Sequence, residues 1–297
     1  NNMRHIITRA CCLVMLALMV ALFSMSADSH AKVYSGTWCK NTKWTYDTKT
    51  KTVTIACKGR MEDGFSYHGS SMGWREWYMK AKRVVFKKGI TYIGAGTFDN
   101  FRKVEEVVLP ERLVSIGDYA FWCTSNLKKI KFPSTLKRIG ERAFDDSGLE
   151  SVSLRSVEKI GSGAFSGTNL KSLTIPAGCT DIKRYAFDYC SKLKRVTLEN
   201  GIKTIPAGMF LISGFQSITI PPSVTKIGSS AFFAFSPEDG KLKSITINST
   251  RITEWGKDIF GKARKDFVIR VPKSKKKAYT KALREGGLPD YVKIVGK

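Results

Sequence analysis

Three histidines occur in the chain, His5, His30 and His68, and two of them fall in its first thirty residues. A histidine metal cluster or a serine–histidine relay would therefore have to be built around His68 alone. The acid pairs Asp145-Asp146 and Glu238-Asp239 lie in turn-like stretches and read as capping or solvated groups rather than as a general acid and its base. The glycines lack a phosphate-cradling spacing, so nothing calls for a cofactor or a metal, and the inventory argues against an enzyme. Positive charge is what the chain has in quantity: 50 Lys and Arg against 25 Asp and Glu, a formal net charge of +25. Such an excess attracts sulfated or sialylated glycans, anionic envelope polymers, extracellular nucleic acid or acidic proteins. The competing reading is that lysine is solubilising surface.

Whether these charges act together depends on the elements that carry them. A short ending recurs as IGAGTF (93–98), IGDYAF (116–121), IGERAF (139–144), IGSGAF (160–165), IPAGMF (205–210) and IGSSAF (227–232), with looser forms at 182–187 and 255–260. Its closing residues, Phe98, Phe121, Phe144, Phe165, Phe187, Phe210, Phe232 and Phe260, follow at steps of 23, 23, 21, 22, 23, 22 and 28. That is a leucine-rich-repeat period. Before the endings stand VEEVVLP (104–110), LKKIKFP (127–133), LKSLTIP (170–176) and FQSITIP (215–221), whose alternating apolar residues are the mark of a strand with one buried face. The proline, without a ladder donor, stops each strand where the chain must turn. An apolar residue follows three positions on (Leu113, Leu136, Cys179, Val224), then isoleucine, then a glycine read as the residue that permits a tight bend.

The fold class expected is a leucine-rich-repeat solenoid of the α/β class, dominated by β-structure. Coils of 21–23 residues stack at about 4.8 Å per rung into a continuous parallel sheet with short helical turns, capped at both ends. A single coil cannot bury its own apolar face, so stacking is obligatory.

In such a stack the outward strand positions form columns. One reads Val108, Lys131, Ser153, Thr174, Thr197, Thr219, Thr246; the next Glu106, Lys129, Ser151, Ser172, Arg195, Ser217, Ser244; a third Glu105, Lys128, Glu150, Lys171, Lys194, Gln216, Lys243. Hydroxyl columns beside a lysine-bearing one make this face the candidate binding surface, with Lys128, Lys171, Lys194, Arg195 and Lys243 as its residues. An ordinary solvated sheet face is the alternative. A second candidate is the basic cluster Lys273, Lys275, Lys276 and Lys277, where phosphate or sulfate would meet a helix N-terminus capped by Ser274.

The remaining segments frame the repeats. Residues 1–31 read as a secretory signal: Arg4 and Arg9 in front, a 16-residue apolar run from Ala10 to Met25, and Ser29-His30-Ala31 as a cleavage site. A membrane anchor is the alternative, but the run is shorter than the roughly 20 residues a spanning helix needs. Cleavage removes two of the 50 basic and one of the 25 acidic residues, leaving +24, and no spanning segment or wall-sorting signal follows. Residues 32–80 read as an N-terminal capping module built on a β-hairpin. Its aromatics Trp74, Trp77 and Tyr78 are either core or a sugar-stacking platform. Cys39 and Cys57 flank the hairpin at 42–55, and a disulfide between them would suit an oxidising compartment. Cys123, Cys179 and Cys190 read as small buried hydrophobes. The solenoid proper spans 81–261, and 262–297 form a C-terminal cap of strand, helix and strand.

The repeat phrase resembles the BspA-like leucine-rich-repeat family of exported bacterial and protozoal surface proteins. Residues 35–63 resemble the hairpin module that often precedes such repeats, and 268–283 the family's closing strand and helix. The resemblance implies adhesion, since some members bind extracellular-matrix proteins or mediate coaggregation, and it brings no catalytic residues. It points to a secreted or cell-surface protein whose partner is an acidic extracellular protein or glycan, with no sequence-specific reading of nucleic acid. An envelope-associated structural protein held by charge to anionic polymers is the other reading. Pro206, Met209, Lys183 and the stretched last coil depart from the family pattern.

Overall fold

The structure, a computed structural model, describes residues 31–297 apart from 40, 65–72, 237 and 239. Residues 1–30 of the expected signal segment, and His68, lie outside the described residues.

Strands β1 (Val33–Trp38), β2 (Thr42–Asp47) and β3 (Thr52–Ala56) form an antiparallel meander, and the expected hairpin is its second half. From β3 onward every pairing between named strands is parallel. The first coil is completed by β4 (Gly59–Arg60). The next two contribute β5 (Arg83–Phe86) with β6 (Ile90–Ile93), and β7 (Glu106–Val108) with β8 (Ser115–Ile116). In the following two coils the long strand is reduced to one bridge, Lys129 to Ser151, and only the short strands β9 (Arg138–Ile139) and β10 (Lys159–Ile160) remain. Then come β11 (Ser172–Ile175) and β12 (Asp181–Ile182), β13 (Arg195–Leu198) and β14 (Thr204–Ile205). The last repeats supply β15 (Ser217–Ile220) and β16 (Lys226–Ile227), then β17 (Ser244–Ile247) and β18 (Glu254–Trp255). The chain closes with β19 (Val268–Val271), a 3-10 turn at Lys273–Lys275, helix α1 (Lys276–Glu285) and β20 (Lys293–Gly296).

Most coils thus have two strands, a long one and a short one, which pair in parallel with their counterparts in neighbouring coils. The strands β11 and β15 stop at the residue before Pro176 and Pro221, and the carbonyls of Pro110, Pro133, Pro176 and Pro221 accept from the amides of Leu113, Leu136, Cys179 and Val224. These bonds turn the next apolar residue inward.

Between the sheets stands a column of phenylalanines. Phe98, Phe121, Phe144, Phe165, Phe187, Phe210, Phe232 and Phe260 stack nearly face to face with centroids 5.3–6.1 Å apart. Trp74 covers the first of them at 5.9 Å, is itself fully buried, and donates its Nε1–H to the Thr97 carbonyl. Trp77 stacks on Tyr46 at 4.2 Å, and Gly36 and Gly73 lie so close to the Trp44 indole that a Cβ on either would fall within 2.7 Å of it. Trp74 and Trp77 are therefore the core of the cap and not an open platform; of the three expected aromatics Tyr78 alone is exposed. Because β3 pairs with β5 and β4 with β6, the cap continues straight into the repeats without a break at residue 80.

The repeat glycine has a different role from the one expected. Gly117, Gly140, Gly161, Gly228 and Gly256 do not adopt positive φ. A Cβ on any of them would lie 2.1–2.6 Å from a backbone nitrogen of the preceding coil, so glycine is required for close approach between coils. The left-handed conformation falls two residues later, at Gly96, Tyr119, Arg142, Gly163, Tyr185, Gly208, Ser230 and Asp258, and recurs at Asn100, Cys123, Asp146, Gly167, Tyr189 and Ile212.

The continuous sheet expected along the whole stack is interrupted. The long-strand sheet falls into sections of five, two and four strands, and the short-strand sheet divides between β12 and β14. The second break has a local cause. In neighbouring coils the amides of Gly140, Gly161, Lys183, Gly228 and Gly256 bond the isoleucine carbonyl one coil back, and Pro206 has no N–H with which to do so.

Candidate functional site

The long-strand sheet places the predicted columns in register. Ser172 lies beside Arg195 and Thr174 beside Thr197; Ser217 lies beside Ser244 and Thr219 beside Thr246. The third column is strung together by backbone bonds from Glu150 to Lys128, Lys171 to Glu150, Lys194 to Lys171 and Lys243 to Gln216. Lys128, Lys171, Lys194, Arg195 and Lys243 are all exposed.

Their charges are not all free. Lys82 pairs with Glu105, Arg83 with Glu106, and Lys171 with Glu150, whose carboxyl is held below its ordinary range by that lysine. Among the described residues Lys128, Lys194, Arg195 and Lys243 carry no salt bridge. Positive potential on this face is consequently patterned, with a ladder of opposite charges in the earlier coils and cations without a salt bridge in the later ones, of which Lys243 helps to hold the Asp266 carboxyl below its ordinary range.

At the second candidate, Lys273 and Lys275 belong to the 3-10 turn, while Lys276 and Lys277 open α1. Ser274 does not cap the helix. Lys275 holds the N-cap position without a side-chain bond, because the turn that starts at Pro272 carries the chain past Ser274. Gly286 ends the helix, and Tyr279 and Leu283 are its buried face, while Ala278 is exposed.

Cys39 and Cys57 are free thiols, so the disulfide expected between them is not formed here. Cys39 follows β1 and Cys57 follows β3, with β2 between the two strands. Two strand spacings amount to about 9.6 Å, beyond the roughly 7 Å limit for a bridge. Burial raises both thiols above their ordinary range, with Glu62 adding to the effect at Cys39. Cys179 and Cys190 are buried as expected, and the Cys190 thiol donates to the Phe165 carbonyl at 3.3 Å. Cys123 is only half-buried and left-handed, and it is not the counterpart of Cys190: it stands two residues after its phenylalanine, Cys190 three.

Sequence reasoning missed a feature on the turns that follow the short strands. The residue after the column phenylalanine is acidic in three coils, Asp99, Asp145 and Asp188, and all three are buried. Arg75 of the cap grips Asp99 with both guanidinium nitrogens, and Arg142 stands 3.6 Å from Asp145. At Asp188 one carboxylate oxygen, Oδ1, has no partner. Burial, reinforced by Asp146, pushes Asp145 up to about 6, and burial pushes Asp188 up to about 6 against the hydrogen bond from Ser166. Outside this acid column, two adjoining clefts open between the turns. One of about 310 Å³ is lined by Glu141, Arg142, Ser162, Ser166, Arg184, Tyr185 and Asp188. The other, of about 360 Å³, shares Glu141 and Ser162 with it and reaches Arg138, Lys159 and Asp181. A cyclic signal in the sequence, Phe-Asp in three coils, marks the column.

The family model for the BspA type leucine rich repeat region matches six copies over residues 76–194 and 158–285. The chain belongs to the BspA-type leucine-rich-repeat family. No curated protein matches it. Among solved structures, a leucine-rich repeat protein from Eubacterium ventriosum ATCC 27560 is similar at 18% identity over 81% of this chain and 73% of that one, with a TM-score of 0.57. A leucine-rich repeat protein from Bacteroides ovatus ATCC 8483 shares 21% identity over 88% of this chain and 78% of its own, at a TM-score of 0.47. A leucine rich cell surface protein from Faecalibacterium prausnitzii A2-165 shares 16% identity over 91% and 96% of the two chains, at 0.35. The first of these likenesses carries the fold of the BspA-type repeat and nothing about a ligand. Among the described residues, no helix of this BspA-type chain is long and apolar enough to cross a membrane.

Proposed function

We propose that this protein is an exported, cell-surface or secreted binding protein that recognises an acidic extracellular protein or glycan through the exposed face of its long-strand sheet. The observation that carries the reading is the register within two sections of that sheet, which sets Lys194 and Arg195 beside Lys171 and Ser172, and Lys243 beside Gln216 at the head of paired serines and threonines; Lys194, Arg195 and Lys243 carry no salt bridge. Cations held on a rigid ladder lose little freedom on binding, and the hydroxyl columns beside them supply hydrogen bonds that fix orientation. Export rests on the basic front and apolar run of residues 1–31. An enzymatic role finds no support in the histidine inventory, and the BspA-type repeat serves here as a scaffold that displays side chains.

The test is retention of the chain on immobilised heparin and on fibronectin across a salt series. Binding to fibronectin that survives near 0.5 M salt, and that falls at least fivefold in the variant Lys194→Ala/Arg195→Ala/Lys243→Ala, is the expected result. Retention on both columns that collapses together with rising salt would favour the second reading, an envelope-associated protein held by its net charge of +25 without a specific partner. No retention on either would remove both.

A further inference from the structure

We infer that the groove formed by the two adjoining clefts is a second binding site, built for a short carboxylated oligosaccharide of the uronic-acid type. This goes beyond the sheet-face reading and rests on different residues. Arg138 and Lys159 lie side by side in β9 and β10, and Arg184 follows in the next coil; all three are exposed, and among the described residues none has a salt bridge. Acceptors are interleaved with them. Glu141 stands where the two clefts meet, Asp118 and Asp181 line the second cleft, where Asp181 is paired with Lys183, and Asp188 lines the end nearer Arg184 with its unpartnered oxygen sealed from solvent. The ring of Tyr185 completes that end.

The pattern selects a ligand class. Three cations without acid partners call for anionic groups, yet Asp118, Glu141 and Asp181 would repel a chain carrying sulfates or phosphates at every position. Glu141, exposed at the junction of the clefts, offers its carboxyl oxygens as acceptors and calls for a donor. A ligand that alternates carboxylates with hydroxyls on an apolar ring satisfies all of these at once. The ring has a platform, for Tyr185 is 40% exposed and its edge occupies the space a Cβ on Gly208 would fill, so the glycine lets the phenol lie against the next coil. At about 310 and 360 Å³ the clefts are at the small end of the ~300–1,000 Å³ range of ligand sites, room for a few sugar rings between them.

Titration calorimetry at 0.15 M salt tests this with four probes: trigalacturonate, a neutral galactose trimer, a fully sulfated heparin tetrasaccharide and triglutamate. Trigalacturonate is expected to bind at least tenfold more tightly than the other three. Arg184→Ala and Arg138→Ala, both on exposed side chains, should each weaken it fivefold or more, as should Glu141→Gln, while Lys171→Ala/Lys194→Ala on the sheet face leaves it unchanged. Thermal melts of each variant check that the fold persists. Three results would overturn the proposal: no heat with trigalacturonate at millimolar concentration, triglutamate or the sulfated probe binding as well, or Arg184→Ala and Arg138→Ala binding like the parent. Loss of fibronectin retention in the sheet-face variant alone would bear only on the other site.

Discussion

Glycine 161 and glycine 163 sit two residues apart and are present for unrelated reasons. A Cβ on Gly161 would lie 2.4 Å from the amide nitrogen of Glu141 in the preceding coil, and backbone on both sides cannot yield without spreading the stack. Gly163 has φ of +60°, and its nearest neighbour to an added Cβ is the flexible Arg142 side chain at 3.3 Å. Arginine and tyrosine occupy the same left-handed position in other coils, so strain there is tolerable. Gly161→Ala should therefore cost about 2 kcal/mol or more, and Gly163→Ala about 1 kcal/mol. Urea midpoints measure both, and the reverse order would refute the close-approach account. A second residue-scale prediction concerns pH. Asp145 and Asp188 have folded-state values of about 6, above the 3.8 of an ordinary aspartate, so the folded protein holds protons the unfolded chain releases. Their contribution is fully present below about pH 4 and is lost as pH rises through 6. Between pH 7.5 and 5.5 the parent should gain on the order of 1–3 kcal/mol relative to Asp145→Asn/Asp188→Asn. Repulsion from the net positive charge acts on both proteins and largely cancels in the difference, so a flat difference across that window would show that these acids are not desolvated.

At the scale of elements, the C-terminal helix is tied to the last long coil by one hydroxyl. Tyr279 in α1 is buried, accepts from the Ile252 amide at 3.0 Å and donates to the Ser249 carbonyl at 3.1 Å. Tyr279→Phe leaves both backbone groups buried and unpaired, which should cost about 1–3 kcal/mol. Hydrogen exchange gives the sharper reading, with the Ile252 amide losing protection while amides of β8 to β10 keep theirs. The elements are also where the legibility of the sequence divides. The strands, the phenylalanine column and both caps could be read because each depends on residues that recur at a fixed period or alternate along one strand. The phase of the columns followed directly, and with it the placing of Lys194 beside Lys171. What could not be read depends on contacts between coils. The repeat glycine looks like a turn residue until the preceding coil is set against it, and Pro206 looks like a tolerated substitution until its missing N–H divides a sheet. The groove was invisible for the same reason: Arg138 and Lys159 hold one repeat position in successive coils and Arg184 another position in the next, and only stacking brings them to one surface. Ser274 was misread because the cap signal was right for an α-helix, whereas Pro272 opens a 3-10 turn first.

At the scale of the molecule, the contacts that hold the repeats are almost all between neighbouring coils, so stability is close to a sum of coil and interface terms. Two deletions of similar modest size then have opposite expected outcomes. Residues 139–159 are one repeat, since Arg138 and Lys159 are register partners, and removing them joins Arg138 directly to Ile160. The excision brings Phe121 against Phe165 in the column, restores a glycine at the required position, and leaves both ends covered, so the product should be soluble with parallel β-structure intact and a lowered melting temperature. Removing residues 31–64 takes away β1 to β4, strips Trp38 from Trp74 and Tyr46 from Trp77, and lays bare the long-strand edge at β5. An uncovered parallel edge beside an apolar stack is a template for association. That variant should aggregate or be recovered unfolded, as circular dichroism and size-exclusion chromatography would report. If instead the end deletion is tolerated and the internal one is not, the coils are not interchangeable units and the protein depends on a coupling across the stack that nearest-neighbour packing does not supply.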